Sequence, residues 1–251
     1  MKKLLAFDMD DTIAVTKSPI SERMATAFTN ILDNYDICII SGGNYNLFEK
    51  QFISRLDVDA TKLKRVHLMP TCGTQYYRHD EATDSWVMQY TEDLKDEEKA
   101  KIITTLEASV RALGYWPENP AGEVIEDRSS QVTYSALGQQ ATAEDKYAWD
   151  PAGEKRMAIR ALALESIPEF EIRLGGTTSI DVTRKGIDKA YGMQKLMEAN
   201  DLTKEDILFF GDKLQEGGND YPVKAFGIDS IEVTRWEDTA NCLEAIVATN
   251  S

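Results

Sequence analysis

Short apolar runs ending in acids or small residues punctuate this chain, with stretches of three- and four-residue apolar spacing between them. Leu4-Leu5-Ala6-Phe7 is the first run and predicts a strand buried on both faces. From Ser21 and Glu22, Met24, Ala27, Phe28 and Leu32 recur at helical spacing. Ile37 to Ile40 is a second buried strand, Tyr45 to Leu56 the next helix, and Val66 to Met69 a third strand. Alternating strands and helices predict a parallel sheet covered by helices. Beyond about Asp80 the pattern changes. Ser85 to Tyr90 alternates like a half-solvated strand, and Asp93 to Leu113 forms a long charged amphipathic helix. Strands at 123–125 and 131–136, a helix at 154–167 and strands at 170–174 and 179–183 complete an α+β module. The first pattern then returns, with a helix over 187–199, a buried strand over 207–210 and a closing helix over 239–248. The expected architecture is an α/β, Rossmann-like core from residues 1–82 and 185–251, with residues 83–184 as an inserted α+β cap.

The chain has 251 residues with 28 Lys and Arg against 43 Asp and Glu, a formal charge of −15. That balance, without a basic stripe, speaks against nucleic-acid binding. The opening apolar run is stopped by Asp8, Asp10 and Asp11, too early for a membrane span or a secretory signal. Cys38, Cys72 and Cys242 are scattered, which predicts reduced thiols and a cytoplasmic setting. With two histidines and no zinc-like spacing, any metal is expected to be held by oxygen.

The chemistry concentrates where apolar runs end. Phe7-Asp8-Met9-Asp10-Asp11-Thr12 crowds three carboxylates at the carboxyl end of the first strand, the edge at which open α/β sheets bind ligands. Taken alone the segment also fits a solvated acidic turn. Crowded carboxylates repel unless a cation neutralises them, and oxygen donors suit Mg²⁺. A second acidic group, Gly211-Asp212-Lys213 followed by Gly217-Gly218-Asn219-Asp220, ends another buried strand, so a parallel sheet puts both groups on one edge. Ser41-Gly42-Gly43, ordinarily just a turn, there offers a hydroxyl and backbone N–H groups for a phosphate oxygen. A Rossmann-type dinucleotide site is excluded, because the first turn has acids in place of glycines.

In order, Asp8-x-Asp10-x-Thr12, Ser41, Lys189 and Gly211-Asp212 with Asn219-Asp220 resemble the four motifs of the haloacid dehalogenase superfamily of phosphotransferases. The middle insertion is similar to the cap of its subfamily IIB. Phe209 to Lys213, Gly217 to Asp220, Ile180-Asp181-Val182 and Asp188-Lys189 resemble the eukaryotic-type phosphomannomutases. The resemblance implies Asp8 as nucleophile, Asp10 as general acid and base, and Ser41 and Lys189 as charge stabilisers. It implies Mg²⁺ on Asp8, Asp10 and Asp212, with Asn219 and Asp220 completing the site. Substrate contacts are expected from Thr12, Lys17, Gly42 and Gly43, and in the cap from Arg128, Ser179 and Asp181.

Two positions depart from that pattern. Gln139 stands where the cap motif closes on an arginine, and Asp11 where the signature has glycine. Losing a bidentate phosphate donor weakens the grip on a second phosphate. The expected activity is therefore a phosphatase of sugar phosphates or similar small phosphometabolites, with a phosphomannomutase as the alternative. A non-catalytic binding module is the remaining possibility, but every expected catalytic side chain is present. The expected partner is a small phosphorylated metabolite, with no nucleic acid or membrane; by analogy with phosphomannomutases a homodimer is possible.

Overall fold

A computed structural model describes residues 2–249. The chain divides into two units, one up to Thr91 and again from Asp188, the other Glu92–Ile187. In chain order the strands are β1 (Leu4–Phe7), β2 (Asp36–Ile40), β3 (Val66–Met69), β4 (Gln75–Asp80), β5 (Ser85–Thr91), β6 (Ile125–Asp127), β7 (Val132–Ser135), β8 (Phe170–Leu174), β9 (Ser179–Arg184), β10 (Ile207–Gly211) and β11 (Asp229–Glu232). The helices are α1 (Glu22–Ile31), α2 (Tyr45–Gln51), α3 (Ala60–Leu63), α4 (Asp96–Ala112), α5 (Ala143–Trp149), α6 (Glu154–Ser166), α7 (Lys189–Asn200), α8 (Tyr221–Ala225) and α9 (Trp236–Thr249).

The first unit is built on a seven-stranded sheet, β11-β10-β1-β2-β3-β4-β5. Its first five strands are mutually parallel, and β4 and β5 are antiparallel. Alternation along β1 sends Leu5 and Phe7 into one core with α1 and α9, and Leu4 and Ala6 into a second core with Met193 and Leu196 of α7. Phe7 stacks on Phe210 at 5.0 Å and meets Phe28 edge-on at 5.1 Å. These contacts fix the carboxyl ends of β1 and β10 side by side.

The boundary between the units differs from the expected one. Strand β5, assigned from its alternation to the cap, closes the first unit's sheet by pairing with β4 from Gln75↔Thr91 to Asp80↔Ser85. Alternating polarity here marks an antiparallel edge with one solvated face, not a new module. The second boundary falls at Asp188, where the Asp188 carboxylate caps α7 by accepting from Tyr191 N–H.

The second unit is a four-stranded antiparallel sheet, β6-β7-β9-β8. Val132, Tyr134, Ile180 and Val182 face a core shared with Ile102, Leu106 and Ile159 of helices α4 and α6. Strand alternation turns Thr133, Ser135, Ser179 and Asp181 to the opposite face. All three cysteines are free. Among the described residues no helix is long and apolar enough to cross a membrane.

Candidate active site

The first unit's site forms where β1 and β10 end. Asp8 continues the ladder, its N–H donating to the Phe210 carbonyl at 3.0 Å, and its side chain is buried. Lys189, the first residue of α7, reaches this point because Gly192 lets the helix approach closely. A Cβ at Gly192 would lie 2.5 Å from Ile40 and 2.7 Å from the Cys72 carbonyl. Lys189 Nζ donates to Asp220 Oδ1 at 2.5 Å and sits 2.6 Å from Asp8 Oδ1, with all three residues at 4 % exposure or less. Gly211 is needed for the same packing, since a Cβ there would stand 2.6 Å from Asp220 Oδ2.

Burial pushes the Asp8 carboxyl up to about 8; Lys189 opposes this, and Asp220 and Asp212 reinforce it. Lys189 is held charged: burial lowers its affinity for a proton, but Asp220 and Asp8 more than offset that. Asp212 is also raised, chiefly by burial, against the pull of Lys213, whose Nζ lies 2.8 Å from Asp212 Oδ2. Two lysines, Lys189 and Lys213, therefore face three acids, Asp8, Asp212 and Asp220.

The residues present fit a hard cation. Asp8, Asp212 and Asp220 bring carboxylate oxygens within 4.8 Å of one another. Asp212 Oδ1 and Asn219 Oδ1 are buried without a hydrogen-bond partner. Asp220 is differently placed, because Lys189 occupies its Oδ1 and the Lys213 N–H donates to its Oδ2 at 3.1 Å. Its position suits it to hold Lys189 and the loop.

Asp10 directly precedes a loop bounded by two left-handed residues, Asp11 (φ 61°) and Lys17 (φ 57°). Asp10 Oδ1 accepts from Lys17 N–H at 2.8 Å, and Lys17 Nζ stands 3.8 Å from Oδ2, so Lys17 fastens Asp10. The Asp11 carboxylate accepts from Thr16 N–H at 3.2 Å within the same loop. Thr12 is fully buried; its carbonyl accepts from Thr239 and its hydroxyl has no partner. Ser41 lies at the end of β2, where its Oγ accepts from Gly43 N–H at 3.2 Å. That N–H is committed to the turn, while the Ser41 O–H remains a donor.

The second unit gathers its own polar cluster on the face away from its core. Thr133 donates to Asp181 Oδ1 at 2.7 Å, and the Ser135 and Ser179 hydroxyls meet at 3.4 Å. Arg128 donates from Nε and Nη2 to Glu126 Oε2 at 3.0 and 2.8 Å. Gln139 donates to the same Glu126 oxygen at 2.8 Å and to Ser135 Oγ at 2.9 Å. Arg128, Ser179 and Asp181 thus share one hydroxyl-rich face, with the Arg128 charge offset by Glu126. Sequence reasoning missed Lys146, the buried residue of α5, whose Nζ donates to the Gln139 carbonyl at 2.8 Å. A lysine four residues after the Thr142 that caps its helix reads as solvated. It also left Lys213 without a role.

The family described as eukaryotic phosphomannomutase matches residues 24–249. Human phosphomannomutase 1 is 26% identical over 228 residues, covering 88% of this chain and 83% of its own. Among solved structures, Plasmodium falciparum IMP-nucleotidase superposes with a TM-score of 0.72 at 16% identity, covering 99% of this chain and 69% of its own. A haloacid dehalogenase-like hydrolase from Bacteroides thetaiotaomicron gives 0.61 at 15% identity, covering 98% and 100%. At such identities the structural likeness establishes the fold alone.

Proposed function

The chain belongs to the eukaryotic phosphomannomutase family of the haloacid dehalogenase superfamily, and from that premise we propose that it moves a phosphoryl group between hydroxyls of a hexose phosphate through Asp8, with Mg²⁺ as cofactor. The observation that carries this reading is the buried Asp8–Lys189–Asp220 arrangement beside Asp212. The Asp8 carboxylate attacks phosphorus and the sugar oxygen leaves, giving an aspartyl phosphate. Asp10, fastened by Lys17, protonates the leaving oxygen and then takes the proton of the acceptor hydroxyl. Lys189 and the Ser41 O–H stabilise the equatorial phosphoryl oxygens. Asp8, Asp212 and the Asp10 carbonyl would hold Mg²⁺, which supplies positive charge to the transferring group. In the second unit, the hydroxyls of Thr133, Ser135 and Ser179 and the carboxylate of Asp181 suit a sugar's hydroxyls.

The family and its relatives favour the mutase over the hydrolase that the sequence put first. One observation keeps hydrolysis as a second reading: Gln139 brings no charge, and Arg128 is committed to Glu126. The test is turnover with Mg²⁺ on mannose 1-phosphate and mannose 6-phosphate, following positional isomers and free phosphate. The mutase predicts interconversion that a trace of sugar bisphosphate stimulates, with little phosphate released. Phosphate release independent of bisphosphate would establish the hydrolase instead.

A further inference from the structure

We propose that Lys213 sets the cation preference of the site, favouring Mg²⁺ over Ca²⁺, by leaving Asp212 a single oxygen to offer. The inference rests on the reading of the Asp8–Asp212 edge as a cation site.

Lys213 is tied down at three points. Its Nζ is 2.8 Å from Asp212 Oδ2, its N–H donates to Asp220 Oδ2 at 3.1 Å, and its carbonyl accepts from Asp220 N–H at 3.3 Å. Gly218 completes the loop, because a Cβ there would run into the Lys213 carbonyl. The backbone is thereby fixed, and the side chain folds back over the carboxylate of the preceding residue. Asp212 Oδ1 is left buried and without a hydrogen-bond partner. Both Asp220 oxygens are already engaged.

The two ions need different things from such a site. Ca²⁺ gathers about six to eight oxygens and readily takes both oxygens of one carboxylate. Mg²⁺ is content with about six, keeps several waters, and binds through one or two carboxylates. An ammonium on Oδ2 therefore denies Ca²⁺ its two-oxygen mode on Asp212 and costs Mg²⁺ little. The ammonium also repels any cation, but it repels two divalent ions alike, so only the ratio of affinities reports the geometric effect.

Isothermal titration of the metal-free full chain with Mg²⁺ and with Ca²⁺ tests this on the parent, Lys213→Met and Lys213→Arg. Both ions should bind Lys213→Met more tightly, with the preference moving toward Ca²⁺ by about tenfold as the second oxygen becomes available. Lys213→Arg keeps a donor on Oδ2 and should hold the parent ratio. Should the Met variant fail to fold, Lys213→Gln, too short to cover Oδ2, should show the same shift. Equal tightening for both ions in the uncharged variants would overturn the proposal. A parent that binds neither ion would overturn the cation site itself, a distinct failure.

Discussion

Replacing Asp8 with Asn is expected to lower turnover by on the order of 10⁴-fold or more while leaving the fold intact. The amide is nearly isosteric but cannot attack phosphorus, so the first half-reaction stops whichever acceptor follows. The substitution is structurally mild because Lys189 keeps Asp220 at 2.5 Å and no buried cation is orphaned. It also removes a carboxyl that burial already pushes up to about 8. In chelator at neutral pH the variant should therefore melt at or above the parent's temperature. Near-parental activity would remove Asp8 from the reaction, and a collapse in melting temperature would show it to be structural.

Lys189→Met should damage both activity and stability. It leaves Asp8 and Asp220 buried with their shared ammonium gone. Breaking a buried pair in this way costs about 3–5 kcal/mol. Losing a preorganised positive group at the transferring phosphoryl should cost turnover a further factor on the order of 10²–10³. The deficit in stability has a predictable pH dependence. Burial already raises Asp8, and removing Lys189 removes the influence that lowers it, so the folded state binds its proton more tightly than the unfolded chain. Stability linked to that proton is present at acidic pH and lost as pH rises through the folded value. The gap in melting temperature between parent and variant, measured in chelator, should thus stay level below about pH 8 and widen above it, where the parent's Asp8 gives up its proton before the variant's does. A gap independent of pH would mean that the lysine acts only through packing.

The sheet was legible where its strands are buried on both faces. β1 and β10 carry uninterrupted apolar runs, β2 carries one after Asp36, and β3 is broken only by His67. β4 and β11 escaped notice because Gln75–Asp80 and Asp229–Glu232 mix polar residues through partly solvated strands. Missing β4 is also what misplaced β5, since the hairpin is meaningful only with both strands in view. The helix expected over Tyr45–Leu56 stops at Gln51, where Phe52 leaves helical geometry and a short 3₁₀ turn follows. Helices α5 and α8, of seven and five residues, are too short to show a periodic apolar face.

The acidic half of the site was readable for the same reason as the strands. An acid that ends a buried apolar run has only one place to be in a parallel sheet. Relations set by side-chain direction were not readable. Nothing in the spacing of Lys17 and Asp10 announces that one fastens the other, nor that Glu126 gathers both Arg128 and Gln139. The clasp of Lys213 on Asp212 and Asp220 likewise depends on a loop closed by Gly218.

The claim at the centre of this account is that the phosphoryl group passes through Asp8. Reacting the Mg²⁺-loaded protein briefly with sugar phosphate, quenching in acid and reducing with borohydride converts an aspartyl phosphate to homoserine, which peptide mass spectrometry locates. Homoserine is expected at position 8, dependent on substrate and absent from Asp8→Asn. Modification at another aspartate, or none during active turnover, would contradict it.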